Sequence, residues 1–391
     1  MNDFKEQKFS SGTIRISVKI FFFISGFIFA TWASRIPALQ SRLHLNDAQL
    51  GSLLFALPAG LMVSMPLAGY LLTKFNSRNI MLAGALLYIT LLCGIGLAQN
   101  FTQAVLILFV FGAARNLFNI SINTQSIGVQ KLYDKSIIAS FHGIWSVAGF
   151  TGAAFASLLI TLGFIPIYHF IIAGGIVLVL IVFAWRTTLR AETKAVERSP
   201  VFALPDKSLL KLGVIAFCSM VCEGTMSDWS GIYFSKVIHA SQELVTIGYV
   251  AYLSCMTTGR FTGDWLINRF GNRRILLSSG LFVAAGSFLI AGFTSMPTAI
   301  AGFMLCGFGV SCIMPFVFSH AGKTSSMPTG AAIAAVSTLG YLGFLTGPPL
   351  IGFLSNIIGL QYSFITTILL GILISLLIAK LKTNTFNHQS G

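Results

Sequence analysis

Glu223 is the ionisable residue of this chain best placed to do chemistry. It lies near the middle of an apolar run, 209–235. The serines that would share its face in a helix are Ser219, Ser227 and Ser230. Apolar surroundings favour the neutral form of a carboxyl group, so Glu223 is suited to take up and release a proton. A structural role, with the carboxyl group bonded to Arg115 or Ser227, is the alternative.

A second polar group surrounds Arg115, the single basic residue of the apolar run 102–128. In a helix its polar neighbours share an arc of about 100°. These neighbours are Asn116, Asn119, Asn123 and Ser126. A guanidinium group donates hydrogen bonds in a fixed fork, which suits a carboxylate or several hydroxyl groups. The residues that we predict to bind a polar solute are Arg115, Asn119, Asn123, His142, Trp145 and Tyr341; a purely structural tie between helices is the alternative for Arg115.

The composition shows what kind of chain carries these residues. Charged residues make up 9% of the 391 residues and hydrophobic residues 55%, whereas soluble domains carry about 25% charged residues. A membrane protein is therefore predicted. The 25 Lys and Arg do not indicate a nucleic-acid partner, because they occur singly or in pairs between apolar runs. All six cysteines lie inside apolar runs, so we expect no disulfide, metal site or cofactor, and no polar segment is large enough for an enzyme active site.

A transmembrane helix needs about 20 largely apolar residues, and such segments recur along the whole chain. We predict an all-α membrane protein with twelve transmembrane helices. Their predicted bounds are 14–38, 47–72, 79–99, 102–128, 136–163, 165–186, 209–235, 244–268, 274–294, 297–320, 328–357 and 360–381.

The basic residues indicate how these helices are oriented, because Lys and Arg beside a membrane span stay on the cytoplasmic side. With a cytoplasmic N-terminus, all but five of the 25 basic residues fall on that side. The five are Arg35, Arg42, Arg115, Lys236 and Arg260. Both termini are therefore predicted to be cytoplasmic, with the chain held in the lipid bilayer.

The longest polar break separates six predicted helices from six. Residues 73–80 (TKFNSRNI) resemble 268–275 (NRFGNRRI), and 150–154 (FTGAA) resemble 345–349 (LTGPP), both at an offset of 195. Two matches at one offset indicate duplication. We predict two pseudo-symmetric six-helix bundles joined by a cytoplasmic linker. The predicted domains are an N-terminal tail 1–13, bundles 14–186 and 209–382, the linker 187–208 and a C-terminal tail 383–391.

Other charged residues lie toward the predicted ends of the helices. Arg35 and Asp228 occupy equivalent outer positions in the two halves. We predict that Arg35 pairs with Asp228 or Glu223 as an outer gate; exposure of both to interfacial water is the alternative. Arg260 and Asp264 are one helical turn apart, which suits an ion pair that supports the neighbouring loop.

The Gly-rich second span and the short basic loop after it resemble the signature of the major facilitator superfamily. The family's loop runs Gly, three residues, Asp, Arg, any residue, Gly, Arg, and Arg or Lys. The first copy here has Gly69, Thr73, Lys74, Asn76 and Arg78, with Thr73 at the acidic position; the second has Asp264, Asn268, Arg269, Gly271, Arg273 and Arg274. The resemblance implies a loop that changes conformation during transport. We assign to it Lys74, Arg78, Arg260, Asp264, Arg269 and Arg273.

Further stretches resemble a bacterial group within that superfamily, the MosC-like proteins. The stretches are 32–37 (WASRIP), 119–125 (NISINTQ), 141–146 (FHGIWS), 223–230 (EGTMSDWS) and 341–349 (YLGFLTGPP). Asn119 stands where that group usually has Asp, so this chain lacks a carboxylate at that position. The resemblance implies transport of a small polar organic solute, sugar- or cyclitol-like, across the bacterial inner membrane.

The residues and the resemblance together predict a monomeric secondary transporter that works by alternating access and is coupled to protons. Glu223 is the first candidate for proton carrier and Asp228 the second. Two alternatives stay open: an efflux pump for amphiphilic compounds, and a non-transporting membrane receptor built on a transporter scaffold.

Overall fold

The computed structural model describes residues 9–135, 137–189, 206, 209–322 and 327–381, without the side chains of Ala139 and Thr329. The predicted C-terminal tail 383–391 lies outside the described residues, as do most of the linker 187–208 and of the N-terminal tail 1–13.

The described part of the chain forms twelve helical spans, numbered here in chain order. Span 1 is Ser11–Ala33 with Ile36–Arg42, span 2 Asp47–Lys74, span 3 Ser77–Leu97, span 4 Phe101–Gln130, span 5 Ile138–Thr161, span 6 Pro166–Trp185, span 7 Leu210–Lys236, span 8 Ile247–Phe270, span 9 Asn272–Gly292, span 10 Met296–Val310 with Ile313–Ala321, span 11 Thr329–Ile358, and span 12 Leu360–Ser363 with Ile365–Ala379.

The predicted fold class is confirmed. Eleven of the helices in the described ranges are long and apolar enough to cross a membrane by length and composition alone. Span 8 is not among these eleven. At 24 residues it is long enough to cross a membrane, but it carries Arg260, Asp264 and Arg269. Its lower apolarity, to which these charges contribute, and not its length, sets it apart from the other spans.

Three spans break where the sequence predicted continuous helices. Span 12 is interrupted at Phe364, and the other two breaks lie just before a proline. The first helix of span 1 ends at Ala33, four residues before Pro37, and span 10 breaks around Ser311, four residues before Pro315. A proline has no amide hydrogen and its ring collides with the carbonyl four residues earlier, so both breaks fall where a proline ends the preceding helix. Pro348 and Pro349, by contrast, lie inside the continuous helix of span 11.

Short polar caps and glycines delimit the helices. Asn46 and Gln49 form reciprocal hydrogen bonds at the start of span 2, each side chain accepting from the other's backbone amide. Asn76 caps span 3 by accepting from the Arg78 amide. Gly271, between spans 8 and 9, has a φ of 84°, a left-handed conformation that favours glycine.

Aromatic side chains fill the core of each half. Tyr88 packs against Phe111 with ring centroids 4.4 Å apart, and Tyr233 packs against Phe364 at 5.4 Å. The Tyr233 hydroxyl donates to the carbonyl of Ile290 at 2.6 Å, so its polar end is satisfied inside the core.

The chain divides into two compact units. The first contains residues 1–38 and 56–198, and the second contains 39–55 and 199–391. The sequence placed 39–55 in the first bundle, whereas this segment groups with the second unit. Span 2 is one helix, yet its first nine residues, 47–55, belong to a different unit from the rest.

The duplication is visible in backbone contacts that recur at the offset of 195. Gly112 lies against the carbonyl of Leu57, and Gly307 lies against the carbonyl of Tyr252 in the same way. Each pair joins the fourth helix of a half to its second helix. Because only a residue without a Cβ permits such an approach, each half keeps a glycine at this position.

Candidate functional site

The first unit brings the predicted asparagines against span 1. Ser25 Oγ donates a hydrogen bond to Asn119 Oδ1 at 2.7 Å, and Ser25 is fully buried. Asn123, one turn further along span 4, donates from Nδ2 to the Asn119 carbonyl at 2.8 Å. Both asparagines are half-buried. They form a polar strip on span 4 that is held in place by a hydroxyl group of span 1.

Arg115 lies on the same side of span 4, one turn before Asn119. Its guanidinium carbon is 3.9 Å from the centre of the Phe29 ring, which is itself buried. A cation over an aromatic face is attracted by the ring quadrupole, and a planar guanidinium stacks there well. The half-buried side chain of Arg115 is thus oriented by an aromatic ring of span 1.

His142 and Trp145 on span 5 complete the group in the first unit. The His142 ring meets Phe22 edge-on with centroids 5.4 Å apart, and His142 is exposed. Trp145 is half-buried, and its carbonyl lies against Gly26, where a Cβ would collide with it.

Sequence reasoning missed the span 1 residues that order this group. They are Phe22, Ser25 and Phe29, which lie on one helical face at spacings of three and four. Phe22 packs on His142, Ser25 bonds Asn119 and Phe29 underlies Arg115. The available signal was the lone hydroxyl of Ser25 within the Phe-rich run 21–29.

The second unit pairs Glu223 with Arg260. Glu223 Oε1 and Arg260 Nη2 are 4.0 Å apart, and the two side chains are 17% and 22% exposed. Glu223 is 13 residues from either end of span 7, and Arg260 is 13 residues from the start of span 8 and 10 from its end. At 1.5 Å per residue both lie about 20 Å into their helices, near the middle of each span.

This placement changes the expected role of Arg260. The sequence put it near the cytoplasmic end of span 8, paired with Asp264 beside the loop. In the structure Arg260 lies at mid-span against Glu223, and Asp264 is exposed on the same helix. Arg260 therefore lies in the same charged pair as the predicted proton carrier. The sequence signal for this was the position of Arg260 well inside the apolar run of span 8.

Two other predicted residues of the second unit lie inside their spans. Asp228 is 7% exposed, five residues after Glu223 on span 7. Tyr341 is half-buried on span 11. Because spans 7 and 11 pack along their length, with Gly343 against the carbonyl of Phe217, both residues are held by rigid helices.

Arg35 is buried and has two acceptors inside the first unit. It follows the break of span 1 and donates from Nη2 to the carbonyl of Phe164 at 2.7 Å and from Nε to His169 Nδ1 at 2.9 Å. His169 is fully buried on span 6. These bonds tie the break of span 1 to span 6 and to the loop before it; the pairing with Asp228 or Glu223 stays a prediction.

The arginines of the two signature loops make equivalent contacts in the two halves. Arg78 donates from Nε and Nη2 to the carbonyl of Trp185, and its guanidinium stacks 4.4 Å from the Trp185 ring. Arg273, 195 residues later, donates to the carbonyl of Ala379 at 3.0 Å. Each arginine thus binds a carbonyl at the end of the last helix of its half, where cations are favoured.

The remaining loop residues make fewer contacts. Lys74 is exposed, with its ammonium 5.9 Å from the centre of the Tyr70 ring, and Arg269 is exposed at the end of span 8.

In the described ranges, no group of three or more His, Cys, Asp and Glu residues is arranged to hold a metal ion.

A comparison with known sequence families identifies the chain. The sequence model of the Major Facilitator Superfamily matches residues 19–259 and 212–388. The chain belongs to the major facilitator superfamily. Its two overlapping matches cover nearly the whole sequence, as expected for a duplicated chain.

Curated relatives place the chain in the MosC-like group of that superfamily. It is 34% identical to an uncharacterised MFS-type transporter of Yersinia pestis over 90% of this chain and 91% of the relative. It is 31% identical to the membrane protein MosC of Rhizobium meliloti over 90% of this chain and 86% of the relative. The group suggested by the sequence motifs is therefore confirmed.

Solved structures share the fold at low identity. The chain matches a D-xylose-proton symporter with a TM-score of 0.74 and 14% identity, over 96% of this chain and 98% of the other. It matches a bacterial homologue of the lysosomal transporter Spinster with a TM-score of 0.75 and 14% identity, over the same shares. These likenesses show the transporter fold. The protein is a multi-pass membrane transporter and not an enzyme.

Proposed function

We propose that this protein moves a small polar organic solute, sugar- or cyclitol-like, across the bacterial inner membrane by alternating access coupled to protons. The observation that carries the proposal is the Glu223–Arg260 pair at mid-span. Ionisable groups inside a membrane span are costly, so a carboxylate and a cation kept there indicate a functional site.

The pair supplies a simple means of coupling. With Glu223 ionised, its charge holds the Arg260 guanidinium beside it. When Glu223 takes up a proton the attraction is lost, and the guanidinium is released to bind solute oxygens or another acceptor. Proton binding at one helix thus changes the position of a cation on the next helix. Asp228, five residues further along span 7, is the second candidate for the same step.

The polar residues of the first unit supply the solute contacts in this proposal. Arg115 donates a fork of hydrogen bonds, Asn119 and Asn123 offer donors and acceptors, and His142 and Trp145 add ring surfaces. A set of amides with one guanidinium suits a solute rich in hydroxyl or carboxylate oxygens, and suits an amphiphilic drug less well.

Relatives with assigned solutes fit this chemistry. The chain is 32% identical to the L-fucose-proton symporter of Escherichia coli over 122 residues, 29% of this chain and 27% of the relative. It is 23% identical to the cis,cis-muconate transport protein of Acinetobacter baylyi over 82% of both chains. A sugar and a dicarboxylate are both small polar organic solutes. We expect the protein to act as a monomer with both termini in the cytoplasm.

The first experiment identifies the solute. Purified protein is screened by thermal unfolding against sugars, cyclitols, amino acids, nucleosides and dicarboxylates, since a ligand of the folded state raises the apparent Tm. A hit among sugars or cyclitols supports the proposed class. Stabilisation by amphiphilic drugs alone would favour an efflux pump, and a ligand that binds but gives no flux in proteoliposomes would favour a receptor.

The second experiment tests the coupling with that solute in proteoliposomes. Glu223→Gln is expected to keep solute exchange across equal concentrations and to lose accumulation driven by a proton gradient. Glu243→Gln, which changes an exposed carboxylate outside the spans, is the matched control and should accumulate solute like the wild type. Unchanged accumulation by Glu223→Gln would refute the assignment.

A further inference from the structure

Arg15 and Lys19 form a pair of like charges inside the first unit. They lie one turn apart on span 1, a spacing at which like charges destabilise a helix, and both are half-buried. Arg15 Nη2 donates to Ser140 Oγ at 3.3 Å, and its guanidinium carbon is 5.3 Å from the centre of the Tyr133 ring. Both of these partners are neutral. Arg15 Nε is buried and has no acceptor in the part of the chain that the structure describes.

The start of span 5 adds to the positive potential around Arg15. Ser140 is the third residue of this helix, and Ile137, the residue before the helix, makes no side-chain cap hydrogen bond. The amide groups of a helix N-terminus carry a partial positive charge, which attracts anions and repels a guanidinium group. Arg15 therefore lies beside two positive groups, the helix N-terminus and the ammonium group of Lys19.

The first unit supplies little negative charge to offset these cations. In its described part the single acidic residue is Asp134, which is exposed in the loop after span 4. A charge in a partly buried position costs free energy unless an opposite charge offsets it. Membrane topology requires basic residues near helix ends, but exposed ones such as Lys131 satisfy that requirement. The half-buried Arg15 and Lys19 indicate, in addition, an anion that comes from outside the chain.

The two cations lie on the helix that orders the proposed solute contacts. Lys19 is six residues before Ser25, which is about 9 Å along span 1, and Ser25 bonds Asn119. This separation is comparable with the screening length of about 8–10 Å in physiological salt, and partly buried charges are screened less than exposed ones. A solute in contact with Asn119 is therefore in the electric field of Lys19.

We propose that the solute of this transporter is an organic anion, a hydroxylated carboxylate such as a sugar acid. The inference rests on the transport function proposed above and narrows its solute class. Arg15 and Lys19 attract the anion electrostatically, and Arg115 binds its carboxylate with a fork of donors. Asn119 and Asn123 bind its hydroxyl groups. A neutral sugar or cyclitol offers the same hydroxyl groups but supplies no counter-charge to Arg15 and Lys19.

Paired ligands test the charge of the solute on the purified full-length protein. The apparent Tm is titrated with glucose, glucuronate and the methyl ester of glucuronate, with the same three forms of galactose, and with inositol and quinate, a carboxylated cyclitol. Each ester keeps the shape of its acid without the charge. We expect at least one acid to raise the apparent Tm and to bind about tenfold or more tightly than its neutral partners. Raising the salt concentration from about 0.05 to 0.5 M should reduce this preference.

Lys19→Gln and Lys131→Gln separate a charge that attracts the solute from one that serves topology. Without ligand, Lys19→Gln should raise the apparent Tm by about 1–2 °C, because it removes the repulsion from Arg15. It should also weaken binding of the stabilising acid about fivefold. Lys131→Gln removes an exposed lysine beyond the end of span 4 and should match the wild type in both measurements.

A preference for the acid that falls with salt and in Lys19→Gln supports the inference. Equal shifts by an acid and its ester, wild-type affinity of Lys19→Gln for the acid, or a lower apparent Tm of ligand-free Lys19→Gln would each overturn it. If neutral sugars or cyclitols stabilise the protein and the acids do not, this inference fails and the proposed function stands. If neither class stabilises the protein, the proposed solute class fails as well.

Discussion

Glu223 of span 7 and Arg260 of span 8 face each other at 4.0 Å, each near the middle of its helix. Each side chain supplies the opposite charge that offsets the free-energy cost of placing the other in an apolar region. The two positions are therefore coupled, and their substitutions should not be additive.

We predict that Glu223→Gln and Arg260→Gln each lower stability by about 1–2 kcal/mol, because each leaves a charge at mid-span without its partner. The double variant should be more stable than the sum of the two losses implies, by about 1 kcal/mol. Apparent Tm values of the four proteins in one detergent check this. Strictly additive losses would show that the two side chains do not interact.

Arg115→Lys should weaken binding of the identified solute about tenfold or more, since an ammonium group keeps the charge but loses the planar fork and the stacking on Phe29. The measurement is a titration of the thermal shift. Arg274→Lys, at an exposed position outside this group, provides the matched control and should bind the solute like the wild type. Equal affinity of Arg115→Lys and wild type would remove Arg115 from the solute site.

Gly152 and Gly347 are equivalent glycines of spans 5 and 11, yet we expect opposite responses to alanine. A Cβ at Gly152 would lie 2.7 Å from the carbonyl of Phe27, whereas one at Gly347 would lie 3.5 Å from that of Val221. Gly152→Ala should destabilise the protein by about 1–3 kcal/mol through overpacking. Gly347→Ala should be neutral or stabilise by about 0.5 kcal/mol, since alanine favours a helix interior. Apparent Tm values of the two variants check this. A Gly347→Ala Tm at or below that of Gly152→Ala would contradict the prediction.

Arg78→Lys should loosen the end of span 6, because a lysine loses both the paired donors to the Trp185 carbonyl and the stacking on the Trp185 ring. We expect hydrogen exchange of 183–189 to rise about tenfold. Arg273→Lys should change the end of span 12 much less, since Arg273 is exposed and makes one bond there. Equal effects at the two sites would contradict this difference between the repeats.

His169→Phe should destabilise the protein by about 2 kcal/mol, because it removes the acceptor of a buried guanidinium nitrogen of Arg35. His169→Gln, which keeps an acceptor, should recover part of the loss. If both variants matched the wild type in apparent Tm, the bond between Arg35 and His169 would carry no stability.

The sequence alone determined the twelve spans and the repeat, because membrane insertion is governed by local apolarity and duplication leaves a fixed offset. It also singled out Glu223, Arg115 and Asn119, since an ionisable or amide group in an apolar run is unusual wherever the chain folds. Helix breaks at Ser34 and Ser311 could have been read from Pro37 and Pro315, whose effect is local as well.

Only the tertiary structure decided which of these residues meet. Glu223 and Arg260 are 37 positions apart, Ser25 and Asn119 are 94 apart, and Asp47 and Ser355 are 308 apart. Asp264 lies one turn from Arg260 on the same helix, whereas the approach of Arg260 to Glu223 depends on how spans 7 and 8 pack. Periodicity gives the face on which a side chain lies on its own helix, but the neighbour of that face is set by side-chain packing between helices, which no local pattern records.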